Sequence, residues 1–306
     1  MRLAGGPGGE PTIVSIVGVV LFSFLDTREA CSLRLVCREL KQAVADFTWE
    51  DMGTVIRGSI ALWRACFPRA RGANVGQRGG PQRWENPNGR LTAVVDGDFV
   101  HFVGLRALDM SFCRQVTDAA FVHLRGIERL NMRGCRNVTD VAFVHLRGIQ
   151  ELNMSYCWQA TITDAAFAHL VGIQRLSIWY CDQATITDAA FEHLKGIHSL
   201  VMANCTQDTI TGAGLEHLKG ISRLGMYRCT DEAIAAAESL GLPVARRAYT
   251  HYEAFDTSFV EKEEGNESED DSEEESENGS EEESDDSEES EEGGDDEPED
   301  FEEDDE

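Results

Sequence analysis

The chain has none of the short motifs that mark common enzyme chemistries. It contains no Walker loop, no HExxH, no GxSxG and no GxGxxG set between a strand and a helix. Phosphate-loop, zinc-protease, hydrolase-elbow and dinucleotide readings therefore fall away, an enzyme is not expected and no cofactor is implied. Nine cysteines are present, but there is no CxxC pair and no Cys/His set at zinc spacing. That pattern signals neither a metal knuckle nor a disulfide scaffold. Long apolar runs are also missing. The longest, residues 13–25, has 13 residues, short of the ~20 that span a bilayer. As a secretory core it lacks its flanks: Arg2 is offset by Glu10, and Asp26, Thr27, Arg28 and Glu29 stand where a small-residue cleavage site belongs. A helix apolar all round is usually buried on all sides, which in a small domain implies a partner over one face.

Net charge is absent from most of the chain. Of the 56 Asp/Glu residues, 30 lie in residues 261–306 with a single Lys, so this segment carries the whole net charge of −29. Residues 1–260 hold 26 acids and 26 bases. The acidic tail has almost no apolar residues to bury and is expected to be disordered. Ser268 and Ser272, each followed by acids, suit an acidophilic kinase, and phosphorylation would deepen the charge.

What fills the middle of the chain is repetition. Cys113, Cys135, Cys157, Cys181, Cys205 and Cys229 follow one another at 22, 22, 24, 24 and 24 residues, each inside a recurring phrase. A fixed period of this size is the signature of a solenoid. Within one unit, Leu130 and Met132 alternate and point to one face of a short strand. Thr117 is a natural N-cap, and Asp118 suits the positive end of the following helical turn. Phe121 and Leu124 fall on one side of that helix. Gly126 stands where a left-handed C-cap residue belongs, and Ile127 opens the next strand. The two extra residues of the 24-residue units fall in the turn. A first half-repeat is expected at residues 91–102, where Asp96, Phe99 and His101 align with Asp118, Phe121 and His123. These units resemble the cysteine-containing subtype of leucine-rich repeats. The resemblance implies an α/β solenoid of short parallel strands and short helices, with the cysteines buried in a reducing compartment.

Ahead of the array, residues 20–51 resemble the F-box, a three-helix module. The residues carrying the likeness are Leu21, Phe22, Phe24, Leu25 and Asp26, then Leu33, Leu35, Val36, Cys37 and Arg38, then Asp46 and Trp49. Two departures from the family pattern stand out. Its opening Leu-Pro-x-Glu is replaced by Ile13, Val14, Ser15 and Ile16, and the tryptophan after Val-Cys-Arg is Leu40. The resemblance implies docking on a Skp-type adaptor and cullin through Leu21, Phe22, Phe24, Leu25, Leu33, Val36, Cys37 and Trp49. The alternative is a helical cap over the first repeat, which solenoids require. The expected organisation is a flexible leader (1–12), the F-box-like domain (13–52), a helix and Gly/Pro/Arg linker (53–90), the solenoid (91–244), a C-terminal cap (245–260) and the acidic tail (261–306).

Two further patterns invite a reading as sites. His101, His123, His145, His169, His193 and His217 recur at one repeat position, but a duplicated half-exposed position aligns without any metal, and no carboxylate or cysteine joins them at ligand spacing. The linker arginines (Arg69, Arg71, Arg78, Arg83 and Arg90) include one QRGG element, too little to support RNA binding over a solvated linker. The informative surface is the outward side of the strands. There Phe112, Arg129, Arg133, Tyr156, Arg175, Trp179, Tyr180, Arg223, Tyr227 and Arg228 differ from repeat to repeat while the inward residues do not. Variation on a constant frame is how a solenoid acquires a specific partner, and Arg, Tyr and Trp are enriched at binding hot spots. An acidic or phosphorylated protein ligand is expected on this face. The combined resemblance implies a non-catalytic substrate receptor of a Skp–cullin–F-box ubiquitin ligase, a monomer within its complex, in cytoplasm or nucleus, without membrane contact and with nucleic acid disfavoured. The alternatives are a repeat scaffold without ligase recruitment and a basic-protein binder driven by the tail.

Overall fold

Every repeat strand is only three residues long, and none could persist alone. In the computed structural model, which describes residues 21–77 and 93–246, they stack into one parallel eight-stranded sheet in strict chain order. The strands are β1 (Gly72–Asn74), β2 (Ala107–Asp109), β3 (Arg129–Asn131), β4 (Glu151–Asn153), β5 (Arg175–Ser177), β6 (Ser199–Val201), β7 (Arg223–Gly225) and β8 (Val244–Ala245). The register sets Leu108, Leu130, Leu152, Leu176, Leu200 and Leu224 side by side. Each strand returns through a short helix, such as Asp118–Leu124 or Asp164–Phe167. The architecture is an α/β solenoid.

The interior consists of columns of identical residues. Phe99, Phe121, Phe143, Phe167 and Phe191 are fully buried, as are the leucines and the Met/Ile residues of the strand phrase. The cysteine column is buried too, and its thiols are donors. Cys135 Sγ reaches the Met110 carbonyl of the preceding repeat at 3.2 Å, and Cys181, Cys205 and Cys229 do likewise at 3.2, 3.2 and 3.0 Å. Burial pushes the Cys113 and Cys157 thiols up to about 12, so they remain protonated and unreactive at neutral pH.

Between repeats runs a second ladder that local reading only half anticipates. Thr117, Thr139, Thr163, Thr187 and Thr211 do cap their helices. Their neighbours Asp118, Asp140, Asp164 and Asp188 reach across to the next repeat. Each carboxylate accepts from both the backbone N–H and the hydroxyl of the following threonine, as in Asp164 to Thr187 at 2.7 and 2.7 Å. Asp96 binds Thr117 in the same way, which places the half-repeat in the stack. The extra turn residues of the longer repeats are also engaged. Thr185 and Thr209 donate to Ile162 and Ile186 carbonyls at 2.7 Å, and Gln183 Nε2 donates to the Cys157 carbonyl at 3.1 Å.

The N-terminal head holds α1 (Thr27–Leu33), α2 (Arg38–Asp46) and α3 (Ile60–Cys66). It is continuous with the sheet. The Trp49 carbonyl accepts from the N–H groups of Arg71 and Gly72 at 2.7 and 3.1 Å, and Ile56 N–H donates to Asn74 at 2.8 Å. The Trp63 ring meets Phe102 of the first half-repeat at 6.4 Å, and the Arg64 guanidinium binds the carbonyls of Ala70 and Val103. The array therefore starts earlier than residue 91: β1 lies inside the stretch expected to be linker. Gly72 is required there because a Cβ would stand 2.6 Å from the Glu50 backbone. At the other end, β8 straddles the expected boundary at residue 244. The leader, the segment 78–92 and the cap and tail beyond 246 lie outside the described residues.

Candidate functional site

Strands β2–β7 each run into a tight turn of four residues, Met110–Cys113 in β2's case, closed by a Cys113 N–H bond to the Met110 carbonyl at 3.2 Å. The third residue of every such turn has positive φ: Phe112 (60°), Gly134 (69°), Tyr156 (61°), Tyr180 (57°), Asn204 (56°) and Arg228 (57°). This geometry suits Gly or Asn. Bulky side chains there cost about 1 kcal/mol or more each. Four of the six positions nevertheless carry Phe, Tyr or Arg, and the N–H groups of the three aromatic ones are fixed by the next repeat, as in Tyr156 to the Trp179 carbonyl at 2.8 Å.

The side chains so placed form one contact run. The Arg133 guanidinium lies 5.1 Å from the Phe112 ring centre, 4.5 Å from Tyr156 and 5.8 Å from Trp179. Gly134 makes room for this sandwich, since a Cβ there would meet Phe112 Cδ1 at 2.6 Å. Tyr156 stacks on Tyr180 at 4.7 Å and meets Trp179 edge-on at 5.6 Å. Burial raises the Tyr156 phenol, partly offset by Arg133 beside it. Farther along, Arg228 stands 5.1 Å from the Tyr227 ring, and Arg175 is paired with Glu151. Beneath these groups, the outward-side Asn153, Ser155 and Ser177 are buried, and Ser155 and Ser177 share a hydrogen bond of 2.8 Å. Larger side chains must stand over them, so this part of the face is a ridge of rings on a polar floor.

All ten residues expected on this face reach its surface: Arg175, Arg223 and Arg228 are exposed, and Phe112, Arg129, Arg133, Tyr156, Trp179, Tyr180 and Tyr227 half-buried. Two arginines of the same surface escaped the sequence reading. Arg136 lies 3.9 Å from the Trp158 ring, and Arg114 stands close enough to lower its pKa, after burial as the larger cause. Both sit in the turn after the cysteine, beyond the strand phrase that was read.

The head divides the expected adaptor residues in two. Phe22 and Trp49 are each 2% exposed, locked in a ring cluster with Phe47 and Phe67 at 4.8–5.7 Å. They hold the head together and cannot touch a partner, which corrects their assignment. Leu25 and Leu33 pack partly against the same core. Leu21, Phe24 and Val36 are 40, 80 and 69% exposed, and Leu35 joins them at 89%. Cys37 is exposed and its sulfur caps α2 by accepting from Leu40 N–H.

The recurring histidines are half-buried on the helix side, where His145 and His169 accept from Arg125 and Arg147 at 3.3 and 3.4 Å. Among the described residues no three His, Cys, Asp or Glu side chains are grouped to hold a metal, and no helix is long and apolar enough to cross a membrane.

No family model and no curated protein matches the chain. Similar solved structures include the yeast Rad7–Elc1 complex (16% identity, TM-score 0.39, 50% of this chain and 44% of that one). A TLR13–ssRNA13 complex matches at 17% identity and TM-score 0.41, over 70% of this chain and 26% of that one. The leucine-rich-repeat protein LegL7 of Legionella pneumophila matches at 9% identity and TM-score 0.36, over 72 and 77%. The chain thus spans less than half the length of the first two. Identities and scores this low leave the functional reading to the geometry of the chain itself.

Proposed function

We propose that the chain is a non-catalytic substrate receptor of a Skp–cullin–F-box ubiquitin ligase. The head docks on a Skp-type adaptor, and the outward strand face holds an acidic or phosphorylated protein. The receptor makes no bonds; it raises the effective concentration of a substrate lysine near the conjugating enzyme. The observation that carries the reading is the head's pattern of exposure. Phe24, Leu35 and Val36 stand in solvent while Phe22 and Trp49 fill the core beneath, and large apolar side chains so exposed support a docking surface. The protein therefore acts as a monomer within an intracellular complex.

The test is capture of the full chain by a Skp-type adaptor–cullin complex. The expected result is capture that Phe24→Asp/Val36→Asp lowers at least 10-fold. Neither residue lies in the core, so the double variant keeps its fold. Capture that is absent, or unchanged in the variant, overturns the reading. It would favour the second one, a repeat scaffold whose head only caps the solenoid. The replacement of the family's tryptophan by Leu40, which packs partly against the head's core, favours that alternative.

A further inference from the structure

We infer that Arg114, Arg133 and Arg136 form a phosphate-recognition subsite at the turn end of the strand face in the first three repeats. The inference rests on the reading that this face holds a protein ligand, and it names the chemical group that is bound. Three observations carry it. First, two of the three guanidiniums lie along one run of ring contacts. Arg133 is held between Phe112 and Tyr156, Tyr156 meets Trp158 at 6.4 Å, and Arg136 lies over Trp158 at 3.9 Å. The rings about Arg133 and the one against Arg136 orient these two guanidiniums before any ligand arrives, which cuts the ordering cost of binding.

Second, Arg114 and Arg136 bring charge that no described carboxylate offsets by a salt bridge. Among the described residues, neither Arg114 nor Arg136 makes a salt bridge with a carboxylate, whereas Arg106 and Arg175 nearby on the sheet pair with Glu128 and Glu151. Arg114 and Arg136 repel each other strongly enough to lower the pKa of Arg136, burial being the first cause. Third, the arrangement carries a conformational cost. Phe112 and Tyr156 occupy positive-φ positions, and Gly134 between them leaves space for the Phe112 ring.

A carboxylate brings one negative charge to a cluster of three arginines. A phosphomonoester brings about −1.5 to −2 and three acceptor oxygens, and arginine forks bind it bidentately. Charge and donor number thus favour a phosphorylated side chain over Asp or Glu. Single-stranded nucleic acid also binds rings interleaved with arginines. Here, however, the Tyr156 ring already packs against Arg133 and Tyr180, and Trp158, 43% exposed with Arg136 over it, offers one partly open ring rather than a row of free platforms.

The test probes the full chain against a peptide array in which each randomised sequence appears with a central phosphoserine, phosphothreonine or phosphotyrosine, with the unmodified residue, and with Asp. The expected result is binding at least 10-fold stronger to phosphorylated members than to unmodified or Asp members. Arg114→Gln and Arg136→Gln should each remove at least 10-fold, while Lys195→Gln, an exposed residue closing the helix of a distant repeat, leaves the preference intact. Both turn arginines are surface groups, and circular dichroism of each variant checks that the fold is retained. Equal binding to all three members, no binding at all, or displacement by a uridine oligonucleotide that the variants weaken in the same way would overturn the inference. Adaptor capture is measured in parallel and reports separately on the ligase reading, because Arg114 and Arg136 lie outside the head.

Discussion

Along the turn Met110–Cys113 and its five copies, the first and last residues point inward and hardly change: Met or Ile, then Cys, every time. The second and third residues face out and change at nearly every copy. The inward pair is buried, the first residue bonded through its N–H to the next repeat and the cysteine through its thiol to the preceding one. Of the outward residues, the third adopts positive φ and is still mostly Phe, Tyr or Arg. The inward positions are what makes the period, since any repeat that misfits breaks two interfaces. The outward positions carry strain that folding alone does not require. That difference is the physical ground for reading one side as frame and the other as recognition surface.

The strongest way to break the comparison is to damage the frame. Phe167→Ala removes a fully buried ring from the middle of its column and should cost about 3–5 kcal/mol. In a solenoid the loss falls on nearest-neighbour interfaces, so a urea melt should lose cooperativity or shift sharply, and a shift as small as that of a surface variant would refute the column's role. Next comes the Thr–Asp ladder. Asp164→Ala leaves the N–H and hydroxyl of Thr187 without their acceptor and should cost about 2–3 kcal/mol. Asp164→Asn, which keeps one acceptor oxygen, should recover part of it.

These expectations rest on features that the sequence displays unequally. The period, the alternation of Leu130 and Met132, and the threonine caps are local and periodic, hence legible. The reach of Asp164 to Thr187 spans 23 residues and shows only when the repeats stack. Strand β1 escaped because Gly-Ala-Asn has no alternation and is a strand solely through its partner β2. Phe22 and Trp49 were assigned to a partner because a resemblance conveys residue type without direction. Arg114 and Arg136 were overlooked because they follow the cysteine, and only the fold lays Trp158 over Arg136.

A smaller effect separates the head from the array. Asp51 accepts from Thr27 N–H and hydroxyl at 2.8 and 2.9 Å, and from the N–H groups of Gly53 and Thr54 at 2.9 and 3.0 Å. Burial raises this carboxyl, but the hydrogen bonds from Thr27 and Thr54 outweigh it and hold it below the usual range. A depressed folded pKa contributes stability that is fully present above the unfolded value, about 3.9, and is lost as pH falls through the folded value. Asp51→Asn should therefore destabilise by about 1.5–2 kcal/mol at pH 7. The gap from wild type should begin to narrow below pH ~4 and go on narrowing as pH falls through the folded value. A gap that does not narrow between pH 7 and pH 2 would mean that the charge of Asp51 is not the stabilising element.

The last effect sharpens the comparison most, because it concerns an outward ring. Tyr180→Gly relieves a positive φ of 57°, worth about 1 kcal/mol. It also forfeits ring contacts to Tyr156 at 4.7 Å and Trp179 at 5.4 Å, worth about 0.5–1.5 kcal/mol each. Glycine's greater freedom in the unfolded chain takes back a further 0.5–1 kcal/mol or so. The sum is a net loss of about 0.5–3 kcal/mol, so the melting midpoint should fall, but by less than Phe167→Ala lowers it. Gly134→Ala runs the other way on the same turn, adding a Cβ at positive φ against the Phe112 ring, and should destabilise by about 1–2 kcal/mol. If Tyr180→Gly instead cost as much as Phe167→Ala, the outward rings would belong to the frame. Their departure from Gly and Asn would then be explained by stability, with no ligand needed.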